Sequence, residues 1–465
     1  MTMLRPPTQD LGTLGEARGL VATAVRWHAV DPISVFVAAA AAGVDACLWH
    51  QPATGRSLVG IDVVARLAPQ GVDRFAELED GWRDLRSGIR VEGPAADSPL
   101  AGPMLIGGAT FRDHPSADPR WSGFETAAFD VPRVLLATRD EQTVLTRVEP
   151  AGGSDSPSAE AFMDRLLGGH ARSRGGPAAA WAVAGTEPDR PAWGSSVARI
   201  TGAVGRGRLD KVVLARRVDL VADRPIDLDD VLARLEAADR GDPSPGARLP
   251  STVFAFARRG RTFVGSSPEL IASVRGRTLR TMALAGTTGR GLDAAADAAL
   301  GAALLASEKD REEHAVVATM LRATLAPLVT DLALPRAPRI VRTARLQHLL
   351  TDVTADLRPD VGLLDVVRRV HPTPAVAGWP TDAALELLDE ESALDRGWYA
   401  GPVGWVDRFG DGDMAVAIRS GVVGAREASL FAGCGIVADS EPDREWDEST
   451  LKMRVMGDAL GWDAT

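Results

Sequence analysis

Residues 211–218 read KVVLARRV, and residues 253–257, 262–266 and 270–274 read VFAFA, TFVGS and LIASV. The first run is β-branched and apolar, as in a strand buried on both faces. The other three are short and separated by RRG and SSPE, so they read as a meander with tight turns. Around them the spacing predicts helices at 307–328, 363–370 and 443–456, and further strands at 404–406, 414–418 and 429–432. Towards the N-terminus, apolar runs at 25–148 alternate with turn signals and give a sheet-rich half. Residues 149–181 are rich in Gly, Ser, Pro and Ala and read as a linker around a short helix at 159–167. Strands and helices interleave without a regular βαβ rhythm. The fold class expected is α/β (α+β), with large sheets layered by helices. The chain divides into a sheet-rich half, 1–195, and a second half of the same unit, 196–465, that carries the motifs.

The 465 residues are 45% hydrophobic and 25% charged, with a formal net charge of -11. That balance supports a sizeable core and argues against gripping nucleic acid or an anionic membrane. It leaves a small anionic substrate open, because local cations can oppose the global sign. Cys47 and Cys434 have no metal-type spacing and suggest no disulfide framework. MTMLRPPTQD lacks a secretory pattern, and the apolar stretch 34–49 is broken by Asp45 and too short to span a bilayer. The expected location is cytoplasmic. No P-loop, GxSxG, HExxH or paired CxxC occurs, and GAVGRG at 202–207 lacks the context of a dinucleotide fold.

Of 52 Lys and Arg residues, three are Lys: Lys211, Lys309 and Lys452. A chain that uses Arg for nearly every positive charge keeps Lys where Arg cannot serve, above all where an amine must lose its proton. In the 307–328 helix, the stripe Val317, Met320, Leu321, Leu325 and Leu328 extends backwards to Glu313, His314 and Asp310. Helix-dipole preference accounts for Glu308 and Asp310, but less well for Glu313, which points where the core should be. In the last helix, Glu445, Glu448 and Lys452 share a face with Leu451 and Val455. Glu448 and Lys452 could be a simple i,i+4 pair. Two helices that each bring an inward carboxylate could also bind a hard divalent cation such as Mg²⁺. Glu269 ends the SSPE turn, and residues 282–289 (MALAGTTG) form a small-residue loop that could offer N–H groups to an anion.

Nine blocks then appear in one order: DKVVLARR, VGSSPEL, ALAGT, SEKDREEH, LQHLLTDV, HPTPAVAG, RGWYAGPVGW, AIRSG and AGCGIVADSEPDREWDESTLK. Together, across 201–456, they resemble the chorismate-utilising enzymes. That family includes isochorismate and salicylate synthases and the large components of anthranilate and aminodeoxychorismate synthases. The resemblance implies the chorismate-binding, anthranilate synthase component I-like fold, with the active site between two large sheets, and a Mg²⁺ cofactor. By motif, Glu313 and Glu448 would be metal carboxylates, with Glu445 and Asp310 acting through water. Tyr399 and Arg419 would grip the enolpyruvyl carboxylate, Gly286 would give a backbone contact, His348 would sit beside the ring, and Lys452 would hold the metal-bound carboxylate region.

Ammonia-adding members typically carry Gln where this chain has Lys211, so the resemblance makes water the nucleophile. Lys211 is then the general base and Glu269 the general acid. Ala375 stands where salicylate and anthranilate synthases carry Thr, which fits an enzyme that stops at isochorismate. TGRG after ALAGT also points away from the amine-adding branch, while Cys434 replaces a usual small Ala-like residue. The activity implied is Mg²⁺-dependent isomerisation of chorismate to isochorismate, feeding menaquinone or siderophore biosynthesis. The other readings are salicylate synthase with pyruvate release, or a catalytically silent chorismate-binding subunit. Neither a glutamine amidotransferase subunit nor an oligomeric partner is expected; the chain should be a monomer.

Overall fold

The structure is a computed structural model that describes residues 19–152, 158–169, 179–240, 249–343 and 346–463. Its centre is the long strand Ala127–Arg139, where the sheet divides into two arms. One edge of this strand pairs with Arg56–Leu67. The other edge pairs with Met104–Ala109 in its first part and with Gln142–Pro150 in its last.

From Arg56–Leu67, one arm runs through Ala46–Gln51, Thr252–Arg258, Arg261–Ser267, Ser420–Val423 and Glu427–Ile436 to Lys211–Ala222. From Met104–Ala109, the other runs through Pro402–Asp407, Gly412–Val416, Leu270–Arg275 and Thr278–Gly289 to Leu346–Leu357. Each arm therefore starts with strands from residues 20–150 and continues with strands from residues 211–436, so the two halves share one sheet. Among the described residues, every pairing is antiparallel except that of Leu20–Trp27 with Arg90–Glu92. Such a sheet needs a cover on each apolar face, and the ten α-helices found among the described residues supply it.

The helices at Leu363–Val370, Glu308–Leu325 and Pro442–Leu460 match the expected ones to within a few residues at their ends. The expected short helix is Ala159–Gly168; of the surrounding linker, residues 153–157 and 170–178 lie outside the described residues. The apolar stretch 34–49 is a helix, Pro32–Ala41, followed by the strand Ala46–Gln51. Two expectations need correction. Residues 282–289 are not a loop but the end of the strand Thr278–Gly289. The meander is not one either: Thr252–Arg258 and Arg261–Ser267 form a hairpin, but Leu270–Arg275 belongs to the other arm. SSPE is the corner between the arms, held by the Ser267 hydroxyl, which donates to the Val416 carbonyl at 2.6 Å and accepts from the Glu269 N–H at 3.2 Å.

Candidate active site

Two chain segments cross between the arms side by side. One passes from Arg261–Ser267 to Leu270–Arg275 and carries Glu269; the other passes from Gly412–Val416 to Ser420–Val423 and carries Arg419. They are bonded to each other, Val416 N–H to Glu269 C=O at 3.0 Å and Ser266 N–H to Arg419 C=O at 3.2 Å. Arg419 has φ +52°, a left-handed conformation that is costly for a side-chain-bearing residue and often marks a functional position.

The crossing forms one end of a cavity of about 70 Å³. Glu269, Gly286, Glu313, His348, Ala375, Tyr399, Arg419 and Lys452 line it, eight of the residues singled out in the sequence. The cavity is small for a ring substrate, which can enter only as lining side chains part. A wider cavity of about 650 Å³ opens at Val37–Asp45, Arg224–Arg234 and Ala257–Thr262, but holds none of this acid–base set.

Four groups in or at the small cavity are buried without an ion pair among the described residues. Arg419 is 8% exposed, and its guanidinium has no ion pair or hydrogen bond within the described protein. Tyr399 is stacked on Phe431 with ring centroids 5.2 Å apart, and burial pushes its hydroxyl pKa up. His348 is held near pKa 3, chiefly by burial and then by Arg419 and Lys452, so the ring is neutral. Burial pushes Glu269 up to about 7, although Lys211 and Arg419 pull the other way. Its nearest polar contact is the Thr373 hydroxyl, at a long 3.5 Å. A carboxyl that titrates near neutrality suits proton donation.

Lys211, Glu445, Glu448 and Asp310 lie behind the lining. Lys211 is 1% exposed and donates from Nζ to Glu313 Oε1 at 2.7 Å. Lys452 Nζ lies 2.6 Å from Glu448 Oε1 and donates to the Gly433 carbonyl at 2.9 Å. Lys309 Nζ lies 3.5 Å from Glu445 Oε1. The three lysines of the chain thus pair one-to-one with the three carboxylates Glu313, Glu448 and Glu445. Burial works against the charge of Glu313, but Lys211, by charge and hydrogen bond, brings its pKa below the ordinary value. Glu445 is raised by burial and by Glu448, and Asp310 is raised mainly by burial.

Among the described residues, the trio whose ligand atoms lie within 4.8 Å of one another is Cys434, Glu445 and Glu448. Glu313 is turned to Lys211 instead, and Asp310 is not in the trio. The carboxylate oxygens fit a hard divalent cation. The Cys434 thiol does not: it donates to the Glu445 carbonyl at 3.1 Å, and burial pushes its pKa well up, so it stays neutral. The last helix buries Glu445, Ser449, Met453 and Met456, so Leu451 and Val455 flank the core face rather than form it.

Sequence reasoning passed over several residues that shape this site. Thr373 touches Glu269. Arg396 donates to the Val376 carbonyl at 2.7 Å and so fixes the segment that carries Ala375. A Cβ built on Gly435 would lie 2.3 Å from Lys211 Cε and 3.2 Å from Glu313 Oε1, so only glycine leaves this lysine its room. The alternation of Gly433 and Gly435 in an otherwise apolar strand was the available signal.

The profile of the chorismate binding enzymes matches residues 9–461. The chain belongs to the chorismate binding enzyme family. It is 36% identical to the salicylate biosynthesis isochorismate synthase of Pseudomonas aeruginosa, over 99% of this chain and 97% of that protein. It is 32% identical to the isochorismate synthase MenF of Bacillus subtilis, over 93% of this chain and 92% of that protein. The structure of MenF, the menaquinone-specific isochorismate synthase from Escherichia coli, shares the fold with a TM-score of 0.75, at 23% identity over 95% of each chain. As a chorismate binding enzyme the chain has the mixed helix and sheet architecture that its motif blocks imply. No helix among its described residues is long and apolar enough to cross a membrane.

Proposed function

We propose that this chorismate binding enzyme is an isochorismate synthase, an isomerase that adds water at C2 of chorismate and releases the C4 hydroxyl. The observation that carries the reading is Lys211, a buried amine behind the cavity lining and bonded to the lining residue Glu313, in the position where ammonia-adding relatives typically carry Gln. The full-length relatives named isochorismate synthases support it.

Arg419, with no protein counter-ion, and Tyr399 take the enolpyruvyl carboxylate. Gly286 gives a backbone contact, and His348 sits beside the ring. Lys211, once released from its ion pair with Glu313 and deprotonated, accepts a proton from the water that attacks C2. Glu269, kept protonated by burial, gives a proton to the C4 oxygen, which leaves as water. One water enters and one leaves, so the net change is an isomerisation. Glu313 and Glu448 would hold Mg²⁺ directly, with Glu445 and Asp310 through water and Lys452 beside the bound carboxylate. When bound there, the cation supplies fixed positive charge to a substrate carboxylate. Ala375 offers no hydroxyl near the ring, which fits an enzyme that retains the enolpyruvyl group. The enzyme acts as a cytoplasmic monomer without an amidotransferase subunit, and its product serves menaquinone or siderophore synthesis.

Purified protein with chorismate and Mg²⁺ should form isochorismate without pyruvate. Prompt stoichiometric pyruvate would instead mark a salicylate synthase. Chorismate binding without turnover would mark a silent subunit.

A further inference from the structure

The strand Lys211–Ala222 opens with Lys211 and carries a second buried cation, Arg216. Arg216 is 3% exposed, and no carboxylate pairs with it among the described residues. Its guanidinium lies instead against the last helix, Pro442–Leu460. Cζ sits 3.9 Å from the centre of the Trp446 ring. Nε donates to Ser449 Oγ at 2.6 Å, and Nη2 donates to Thr450 Oγ1 at 2.7 Å. Both hydroxyls donate in turn to the Trp446 carbonyl, at 2.6 and 3.0 Å. Trp193 meets the Trp446 ring edge-on, with ring centroids 6.0 Å apart.

A guanidinium buried without a counter-ion is costly, and an apolar side chain of similar length could fill the space at lower cost. What only Arg supplies is a rigid planar fork that stacks and donates in fixed directions. Here it meets the helix at three residues spaced i, i+3 and i+4, which share one side. Three such contacts fix the rotation of the helix about its own axis. Glu445, Glu448 and Lys452 project about a third of a turn further round. A rotation of roughly 20° would carry their side-chain ends about 2 Å. Mg²⁺ demands near-ideal geometry from its oxygen ligands and tolerates no such error.

We propose that Arg216 is a positioning residue for the cation: its clamp on Trp446, Ser449 and Thr450 fixes the rotation of the last helix and so aims Glu445 and Glu448 at one divalent ion. The proposal rests on reading those carboxylates as a Mg²⁺ site. One strand then carries both the proposed base, Lys211, and the residue that aligns the metal-binding helix with it.

The test titrates Mg²⁺ calorimetrically into the full-length Lys211→Gln protein with chorismate bound, where the substrate is not consumed, and then into the same protein with Arg216→Met added. The added change should weaken Mg²⁺ binding roughly tenfold, the effect of losing a residue that orients a metal ligand. The melting temperature of the metal-free protein should hold or rise, because Met fills the space without a buried charge. Ser449→Ala removes one arm of the fork. It should weaken Mg²⁺ binding in the same direction by a smaller factor, and it carries the test if Arg216→Met does not fold. Unchanged Mg²⁺ affinity in folded Arg216→Met, or in Ser449→Ala where the former does not fold, would overturn the proposal whatever the melting temperature does. If the Lys211→Gln protein itself takes up no Mg²⁺, it is the cation reading of the carboxylates that fails, and the role of Arg216 fails with it.

Discussion

The two sides of the cavity solve the problem of buried charge in opposite ways. On the side built by Lys211–Ala222, Glu308–Leu325 and Pro442–Leu460, each of three carboxylates has its own lysine, at 2.6 to 3.5 Å. On the side built by the two crossing segments and Leu346–Leu357, Glu269, Arg419 and His348 are buried with no ion pair. A balanced cluster tolerates burial because its charges offset one another's desolvation. An unbalanced one is costly, and it survives where a ligand completes it. This difference fits the proposed division, with cation and base chemistry on the first side and substrate anion recognition and proton donation on the second.

The largest effect should come from breaking the first side at its one indispensable amine. Lys211→Gln or Lys211→Arg should lower isochorismate formation by about 10³-fold or more while chorismate still binds, as read by calorimetry. Near-normal turnover in either variant would remove Lys211 as the base. On the other side, Glu269→Gln should cost roughly 10²-fold or more in kcat. The Glu269 carboxyl is raised by burial to about 7, so its protonated form is the useful one and activity should fall as pH rises through about 7. The linkage has the same sign: burying the charged form costs stability as pH rises from the unfolded carboxyl value towards and past 7. Glu269→Gln should therefore gain thermal stability relative to the parent at pH 8 but not at pH 4.

A middle effect is expected from Glu448→Gln, which should raise the Mg²⁺ concentration needed for half-maximal activity by about 10- to 100-fold. An unchanged Mg²⁺ titration would refute the ligand role. The smallest effect belongs to Gly435→Ala, which adds one methyl against the lysine tail. It should lower kcat by roughly tenfold through displaced Lys211, with KM for chorismate nearly unchanged, because the crossing segments that grip the substrate are untouched. If KM rose and kcat held, the glycine would serve the substrate rather than the lysine.

Much of this site was legible because its residues sit in short blocks whose chemistry is local. Lys211 opens a strand, Glu313 breaks an apolar stripe, and Lys452 follows Glu448 by one helical turn. Pairing across the chain was less legible. The runs at 253–257, 262–266 and 270–274 have the right period for strands, but period does not say which sheet a strand joins. SSPE was therefore read as a hairpin turn rather than as the corner that aims Glu269. The helix Arg74–Ser87 was missed although Phe75, Leu78, Trp82 and Leu85 have helical spacing, because turn signals around it favoured strands. Thr373 and Gly435 act through a neighbour across the sheet, and such roles need the register, which local pattern does not carry.

The central claim is that Lys211 directs water to C2. Conversion of chorismate in H₂¹⁸O with Mg²⁺ tests it most directly, with the product analysed by mass spectrometry and ¹³C NMR. The account predicts isochorismate carrying one ¹⁸O at the C2 hydroxyl, no pyruvate, and no labelled product from Lys211→Gln. Unlabelled isochorismate, or labelled product formed at the parent rate by the variant, would contradict it.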